Sequence, residues 1–396
     1  MRLLRNAIWV PYRLLRYCWH VWARLRPAAR ARGVSVWRLV REQVALKRRR
    51  GLTPAEYFYY GLDDPSMPWE EKLTYVGGSL HRKLLYLMTP ARYHCCFDNK
   101  LLFKRLFGSL GFPVARLLGV YDPAWGHTAD GAPLRTPGDM GSWMFRCRVQ
   151  EAVFKPIESG QGRMVLVVSG RNPRNEHEFL RLDGTPCSPE AICAFLSDRA
   201  RLREAYPDRV PMLTFLVEER LRPHMALREL VGETLSCARV TTLTSLTGEV
   251  TILETAVKLQ PQPTGVDNVA QGSIAVAVDQ QTGVLGTGLY HGEPTSARRT
   301  HFRDSDVRFE GFKVPMWDEV IRVARSAALA FPYAHTVGWD IGVTDDGPYL
   351  VEGNPAWGNF QAECGAGLMR GAFGELVTQL RNVRRDWDQH LTNQAF

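Results

Sequence analysis

Gly338-Trp339-Asp340-Ile341-Gly342-Val343-Thr344-Asp345-Asp346-Gly347-Pro348-Tyr349-Leu350-Val351-Glu352-Gly353-Asn354-Pro355 is the stretch on which the architecture of this chain turns. Two apolar runs flank Asp345-Asp346-Gly347, which reads as a three-residue hairpin loop with glycine in the left-handed position. That register pairs Thr344 with Pro348 and sets Asp340 opposite Glu352. Asn354 lies two residues beyond Glu352, on the same face. Opposed side chains in such a hairpin stand about 4.5–5.5 Å apart at Cβ. With no basic residue between them, the two carboxylates repel each other unless a cation joins them. Oxygen ligands suit a hard divalent ion such as Mg²⁺. Apolar neighbours argue against two acids on a solvated sheet. Gly353 and Gly358 are expected to leave the backbone room for a ligand's approach.

Upstream, Val153-Phe154-Lys155-Pro156 reads as a strand ending in lysine, followed by Gly160-Gln161-Gly162. An ammonium pairs with phosphate oxygens, and the N–H groups of a flexible glycine loop cradle them. This is not a Walker loop, since no Gly-Lys-Ser/Thr follows. Leu216-Val217-Glu218-Glu219-Arg220-Leu221 ends another apolar strand. Backbone groups there suit an adenine edge, and an acid suits a ribose hydroxyl. Arg239, Lys258, Lys313 and the early Lys100 are candidate anion-binding residues. In the hairpin turned at Thr247-Gly248, Arg239 and Thr241 share a face, with Glu254 opposite Thr241. Asp267-Asn268 and Gln271-Gly272 form a polar loop. Taken singly, each of these features also fits an ordinary structural role.

The 396 residues suit two or three domains, and 45% hydrophobic with 23% charged residues is a globular composition. The apolar runs fall short of the roughly 20 residues of a membrane helix, and no secretory leader is visible. The net charge of +9 is concentrated in residues 1–50, where 14 Lys and Arg face a single acid, Glu42. The rest of the chain is slightly acidic. The basic arm interleaves arginines with Trp9, Trp19, Trp22 and Trp37. Such a stretch suits an anionic membrane interface. A helical layer packed on its own domain is the structural alternative, and nucleic acid suits the arm least. The eight cysteines show no Cys-x-x-Cys and no zinc spacing, and scattered thiols point to a reducing cytosol.

Elsewhere, Asp98 is expected to cap a helix ending at Gly111, residues 122–140 read as a loop, and Pro315 opens a helix to about Phe331. A closing helix follows residue 368. The body reads as α+β with mainly antiparallel sheets.

In order, Lys100, Lys155 with its glycine loop, Glu218-Glu219, Asp340 and Glu352-x-Asn354 resemble the ATP-grasp superfamily. The finer details resemble its sugar-transfer-associated family: Asn99-Lys100-Leu101-Leu102-Phe103, Ala238-Arg239-Val240-Thr241-Thr242, Asp267-Asn268, Gly311-Phe312-Lys313-Val314-Pro315 and Gly338-Trp339-Asp340. The resemblance covers roughly residues 95–370. It implies two α+β lobes clamping ATP: a basic helical region over 1–95, the first ATP-grasp part over 96–230, the metal-bearing lobe over 231–370, and a closing helix over 371–396. It further implies Lys100 and Lys155 on ATP phosphates, closed over by Gly160 and Gly162. Glu218, Glu219 and Leu221 would sit at adenine and ribose, and Asp340, Glu352 and Asn354 on Mg²⁺. Arg239 and Lys313 are the catalytic candidates.

One departure stands out. Related ligases carry arginine two residues before the metal aspartate, where this chain has Gly338; Arg239 from a neighbouring strand is the candidate replacement. The expected activity is an ATP-dependent carboxylate–amine ligase acting through an acyl phosphate, joining an amino acid or amine to a saccharide or cell-surface glycan precursor. The alternatives are a kinase of a sugar or polyol hydroxyl, and a non-catalytic ATP-binding protein at the membrane periphery. The expected location is cytoplasmic, with the arm at the inner face of the membrane.

Overall fold

The computed structural model describes residues 21–158, 160, 162–205, 213–269 and 272–394. Residues 1–20 of the basic arm, Gln161 of the glycine loop and Gln271 of the polar loop lie outside the described residues.

Two antiparallel sheets carry the molecule. The first comprises β1 (Leu117–Tyr121), β2 (His127–Thr128), β3 (Ala152–Pro156), β4 (Leu166–Arg171), β5 (Phe179–Arg181), β6 (Pro186–Cys187) and β7 (Phe215–Glu218). Their order across the sheet is β2-β1-β7-β3-β4-β5-β6. The second comprises β8 (Cys237–Thr244), β9 (Val250–Leu259), β10 (Ile274–Val278), β11 (Leu285–Tyr290), β12 (Thr336–Thr344) and β13 (Gly347–Asn354), ordered β11-β10-β9-β8-β12-β13.

Strand alternation gives each sheet one face for the core. In the first sheet, Phe154, Phe179 and Phe215 pack with Met140 and Met144 of helix Pro137–Arg146 and with Ile192 and Leu196 of helix Pro189–Leu196. In the second, Val337, Trp339 and Ile341 pack with Val320, Ala324 and Ala327 of helix Trp317–Ala330 and with Phe103 and Phe107 of helix Lys100–Ser109. The opposite parity of β12, Gly338 and Asp340, is thereby turned to the other face.

Several local expectations are corrected. Asn99, not Asp98, caps the helix Lys100–Ser109, its side chain accepting from the Leu101 and Leu102 N–H groups. Asp98 closes the preceding short helix Cys95–Asp98. The segment read as a loop over 122–140 contains β2 and the start of helix Pro137–Arg146. Reciprocal hydrogen bonds between Thr136 and Asp139 cap that helix. The helix expected from Pro315 begins at Trp317, after Met316 in the left-handed conformation.

N-terminal to the sheets, helices Arg26–Arg32, Val36–Arg50 and Pro54–Tyr59 form a layer. It buries Leu25, Leu39, Leu46, Tyr57, Tyr60 and Leu62 together with Leu289 and Ala362. Residues 25–50 therefore pack one side against the body of the protein.

Candidate active site

The hairpin β12–β13 holds Asp340 opposite Glu352 and Gly338 opposite Asn354. The sequence reading reached these pairs by a different turn. Thr344 pairs with Gly347, so the loop is the two residues Asp345-Asp346, and a bulge between Asp340 and Ile341 restores the outer register. Asp345 ties the hairpin to the segment leaving β7: its carboxylate accepts the Met225 N–H (2.7 Å) and pairs with Arg228 (2.7 Å).

On its other side β12 pairs with β8, setting Arg239 beside Asp340. The contact is bidentate, with Nε to Oδ1 at 2.7 Å and Nη2 to Oδ2 at 2.9 Å. Lys258 of β9 lies 3.2 Å from Asp340 Oδ2 and 3.4 Å from Asp267 Oδ1. Two acids compensated only by a metal are thus not what the structure contains. Asp340 already has two cations, both contributed by strands distant in sequence. Burial alone would raise its carboxyl; Arg239 and Lys258 outweigh that and hold it well below the usual range.

Gly338 explains how the arginine reaches this place. A Cβ there would stand 2.8 Å from the Trp357 Cβ, 3.2 Å from Arg239 Cδ and 3.3 Å from Arg239 Nη1. The bare backbone is the bed over which Arg239 of β8 lies. Gly353 needs another explanation than the expected ligand room: its missing Cβ is filled by Phe97, Trp339 and Phe103, at 2.8–3.1 Å. Gly358 does have open space beside it.

The first sheet contributes a second charged group. Glu218 pairs with Lys155 at 2.5 Å and with Lys104 at 2.8 Å, and Lys104 also donates to the Ala115 carbonyl (2.7 Å). Burial pushes the Glu218 carboxyl up, but the two lysines overcome it and hold it at about 2. Both Glu218 oxygens are thus engaged by lysines, one by Lys155 and one by Lys104. Lys100 lies 3.9 Å from Glu352, and its N–H donates to Ile157 O (2.8 Å), fastening the helix to the end of β3. Glu219 accepts the Arg116 N–H (2.7 Å) and pairs with its guanidinium. Leu221 lies half-buried in the connecting segment. At the glycine loop, Gly162 has φ +65° and would bring a Cβ within 2.9 Å of Val266, so the loop rests on the 264–266 segment; Gly160 faces open space.

Of the expected site residues, the structure gathers Arg239, Asp340, Glu352, Asn354 and Lys100 around one end of β12–β13. It places Lys155 and Glu218 at the ends of β3 and β7. It does not bring in Lys313, which is exposed and bridges Val284 near the start of the distant edge strand β11. The expectation for Lys313 came from a local pattern, which does not show on which edge a segment docks. Lys258, one of the candidate anion-binding residues, joins the group around Asp340, and Lys104, to which the sequence reading gave no role, joins the group around Glu218. Lys104 was accessible, since it lies one helical turn from Lys100.

For a cation, the donor set is oxygen only. Asn354 Nδ2 lies 3.3 Å from Glu352 Oε1 and 3.4 Å from Asp340 Oδ2, leaving the amide oxygen of Asn354 outside those contacts. The Glu352 side chain is 31% exposed and its nearest cation is the distant Lys100. Glu352 with Asn354 therefore fits Mg²⁺, which takes one or two carboxylates and completes its shell with phosphate oxygens and water. Asp340 is engaged by Arg239 and Lys258. Among the described residues no cluster of three His, Cys, Asp or Glu forms.

One row along the sheet, Thr241 faces Glu254 as expected from the Thr247-Gly248 hairpin. Both Glu254 oxygens accept the Phe360 N–H (3.2 and 3.1 Å). Burial pushes this carboxyl up to about 8, Phe360 and Arg239 opposing and Glu363 assisting. The ordinary value is 4.5. Between these values the folded protein keeps a proton that the unfolded chain has lost. This contribution to stability is fully present below about 4.5 and is lost as pH rises through 8. Glu254→Gln is expected to flatten that decline by on the order of a few kcal/mol. Urea midpoints of parent and variant from pH 5 to 9 check it; parallel curves would refute it.

A family described as sugar-transfer associated ATP-grasp matches residues 80–372. Solved structures similar to the chain include a biotin carboxylase complex from Campylobacter jejuni, 12% identical with a TM-score of 0.44, covering 74% of this chain and 47% of that one. D-alanyl-alanine synthetase A from Vibrio cholerae is 14% identical with a TM-score of 0.39, covering 74% and 66%. L-amino acid ligase from Bacillus licheniformis is 13% identical with a TM-score of 0.36, covering 80% and 51%. The chain spans about half to two thirds of the length of these proteins. No curated protein sequence matches it.

Proposed function

The chain belongs to the sugar-transfer-associated ATP-grasp family, and from that premise we propose that it is an ATP-dependent carboxylate–amine ligase acting through an acyl phosphate. The observation that carries this reading is the row Glu352–Asp340–Arg239 across three adjacent strands, with Lys258 on the same aspartate. A guanidinium locked by two hydrogen bonds is a preorganised donor for charge that develops during phosphoryl transfer.

Lys155 and Lys100 would hold the ATP phosphates, with Gly160 and Gly162 over them. Backbone groups of Glu219 and Leu221 would meet the adenine. Glu352 and Asn354 would hold Mg²⁺, which neutralises phosphate charge when bound. A substrate carboxylate oxygen attacks the γ-phosphorus as the bond to ADP breaks. The amine then forms its bond to the acyl carbon, phosphate leaves with the C–O pair, and the amine loses a proton. The glycine loop resting on Val266 supports a closed arrangement that keeps water from the acyl phosphate. An amino acid or amine and a saccharide precursor are the substrate classes we assign. The kinase alternative drew on the missing arginine, and Arg239 over Gly338 favours the ligase.

The test is ATP turnover with candidate carboxylates in the presence of hydroxylamine. A hydroxamate formed together with ADP is the expected result. ADP release with a phosphorylated hydroxyl and no hydroxamate would establish the kinase instead.

A further inference from the structure

The helix Val36–Arg50 carries a surface the active site does not use. Its inner side buries Leu39 and Leu46. Its outer side presents Trp37, Arg41, Val44 and Arg48 at successive helical spacings, one stripe along the helix. Trp37 is 74% exposed and Val44 42% exposed. Lys47 and Arg49 flank the stripe and are exposed.

Glu42, the one acid of the first 50 residues, is turned inward. It accepts from the Tyr57 hydroxyl (2.7 Å) and pairs with Lys72 (2.8 Å) and Arg38 (3.0 Å). The outer side is thus left without a carboxylate of its own helix.

Charge decides what covers such a face. Residues 1–20 contain four arginines and no acid, so the chain's own N-terminus is repelled by it. A second copy meeting it face to face would bring the same cationic surface. The partner must be anionic. An exposed tryptophan and valine set among arginines match the interfacial zone of a bilayer, where an indole sits at headgroup level and basic side chains meet lipid phosphates. Among the described residues no helix is long and apolar enough to cross a membrane, so contact would be peripheral. We propose that the Trp37–Arg41–Val44–Arg48 face of helix Val36–Arg50 docks this protein on an anionic bilayer surface. The inference is independent of the ligase reading.

The test is co-sedimentation of the full chain with phosphatidylglycerol–phosphatidylcholine vesicles and with pure phosphatidylcholine vesicles. The parent should sediment with the first and not the second, and high salt should release it. Arg41→Gln with Arg48→Gln should weaken partition about five-fold for each cation removed, and Trp37→Ala should weaken it several-fold. All three side chains are exposed, so unchanged thermal unfolding and an unchanged response to Mg-ATP are expected in each variant. Equal sedimentation of parent and variants, or equal binding to neutral vesicles, would overturn the proposal. So would a single-stranded oligonucleotide that binds the parent more tightly than the vesicles and is lost in the same variants, since the face would then be a nucleic-acid site.

Discussion

Arg239→Ala is expected to lower ATP turnover by about a hundred- to a thousand-fold, the typical effect of losing one preorganised donor to developing charge. It is also expected to cost about 3 kcal/mol of stability. Removing one partner of a buried ion pair costs roughly 3–5 kcal/mol, because the remaining charge stays buried. The lower figure applies because Lys258 still lies 3.2 Å from Asp340 Oδ2. Arg239→Lys keeps the charge but lacks the fork that meets both carboxylate oxygens, so it should recover part of the stability and little of the turnover. ADP release and urea midpoints on the three proteins decide the matter. Full turnover in Arg239→Ala would remove Arg239 from the reaction and leave it a purely structural counter-ion.

Glu352→Gln separates chemistry from folding. Its side chain is 31% exposed and its nearest cation is 3.9 Å away, so the change should shift stability by no more than about 0.5 kcal/mol. If Glu352 holds the metal, turnover should still fall by about a thousand-fold, since metal stabilisation of the transferring phosphoryl group is worth several kcal/mol. Mg-ATP at about 100 times its Kd should stabilise the parent by roughly 2.7 kcal/mol, and that gain should shrink in the variant. A thermal shift of parent size, with turnover intact, would overturn the metal assignment. The contrast between the variants is informative in itself: one loses stability and turnover together, the other turnover alone.

Much of this site was legible because hairpins are local. The pairs Asp340–Glu352 and Thr241–Glu254 follow from counting along two strands joined by a short turn. The inner register of the first hairpin was nevertheless off by one residue, and the bulge beside Asp340 compensated for it. A bulge depends on backbone packing, for which the residue pattern carries no marker.

What a single stretch could not show was the company each charge keeps. Glu218 follows an apolar strand and resembled an adenine contact, yet Lys104 and Lys155 arrive from a helix and a neighbouring strand to take both its oxygens. Lys313 sat in a suggestive local pattern and docks elsewhere. Gly353 resembled room for a ligand and is filled by Phe97, Trp339 and Phe103.

By itself, then, the sequence determined the α+β class, the family through its ordered motifs, the two hairpins that carry Asp340 and Thr241, and the cationic character of the first 50 residues. Only the tertiary structure decided which cation answers which carboxylate, that Gly338 makes room for an arginine from another strand, and that Glu42 turns inward and leaves one helix face without an acid. The physical reason is range. Turns, caps and alternation act over a few residues. Ion pairing acts between groups that only the pairing of distant strands and the packing of helices bring within about 4 Å.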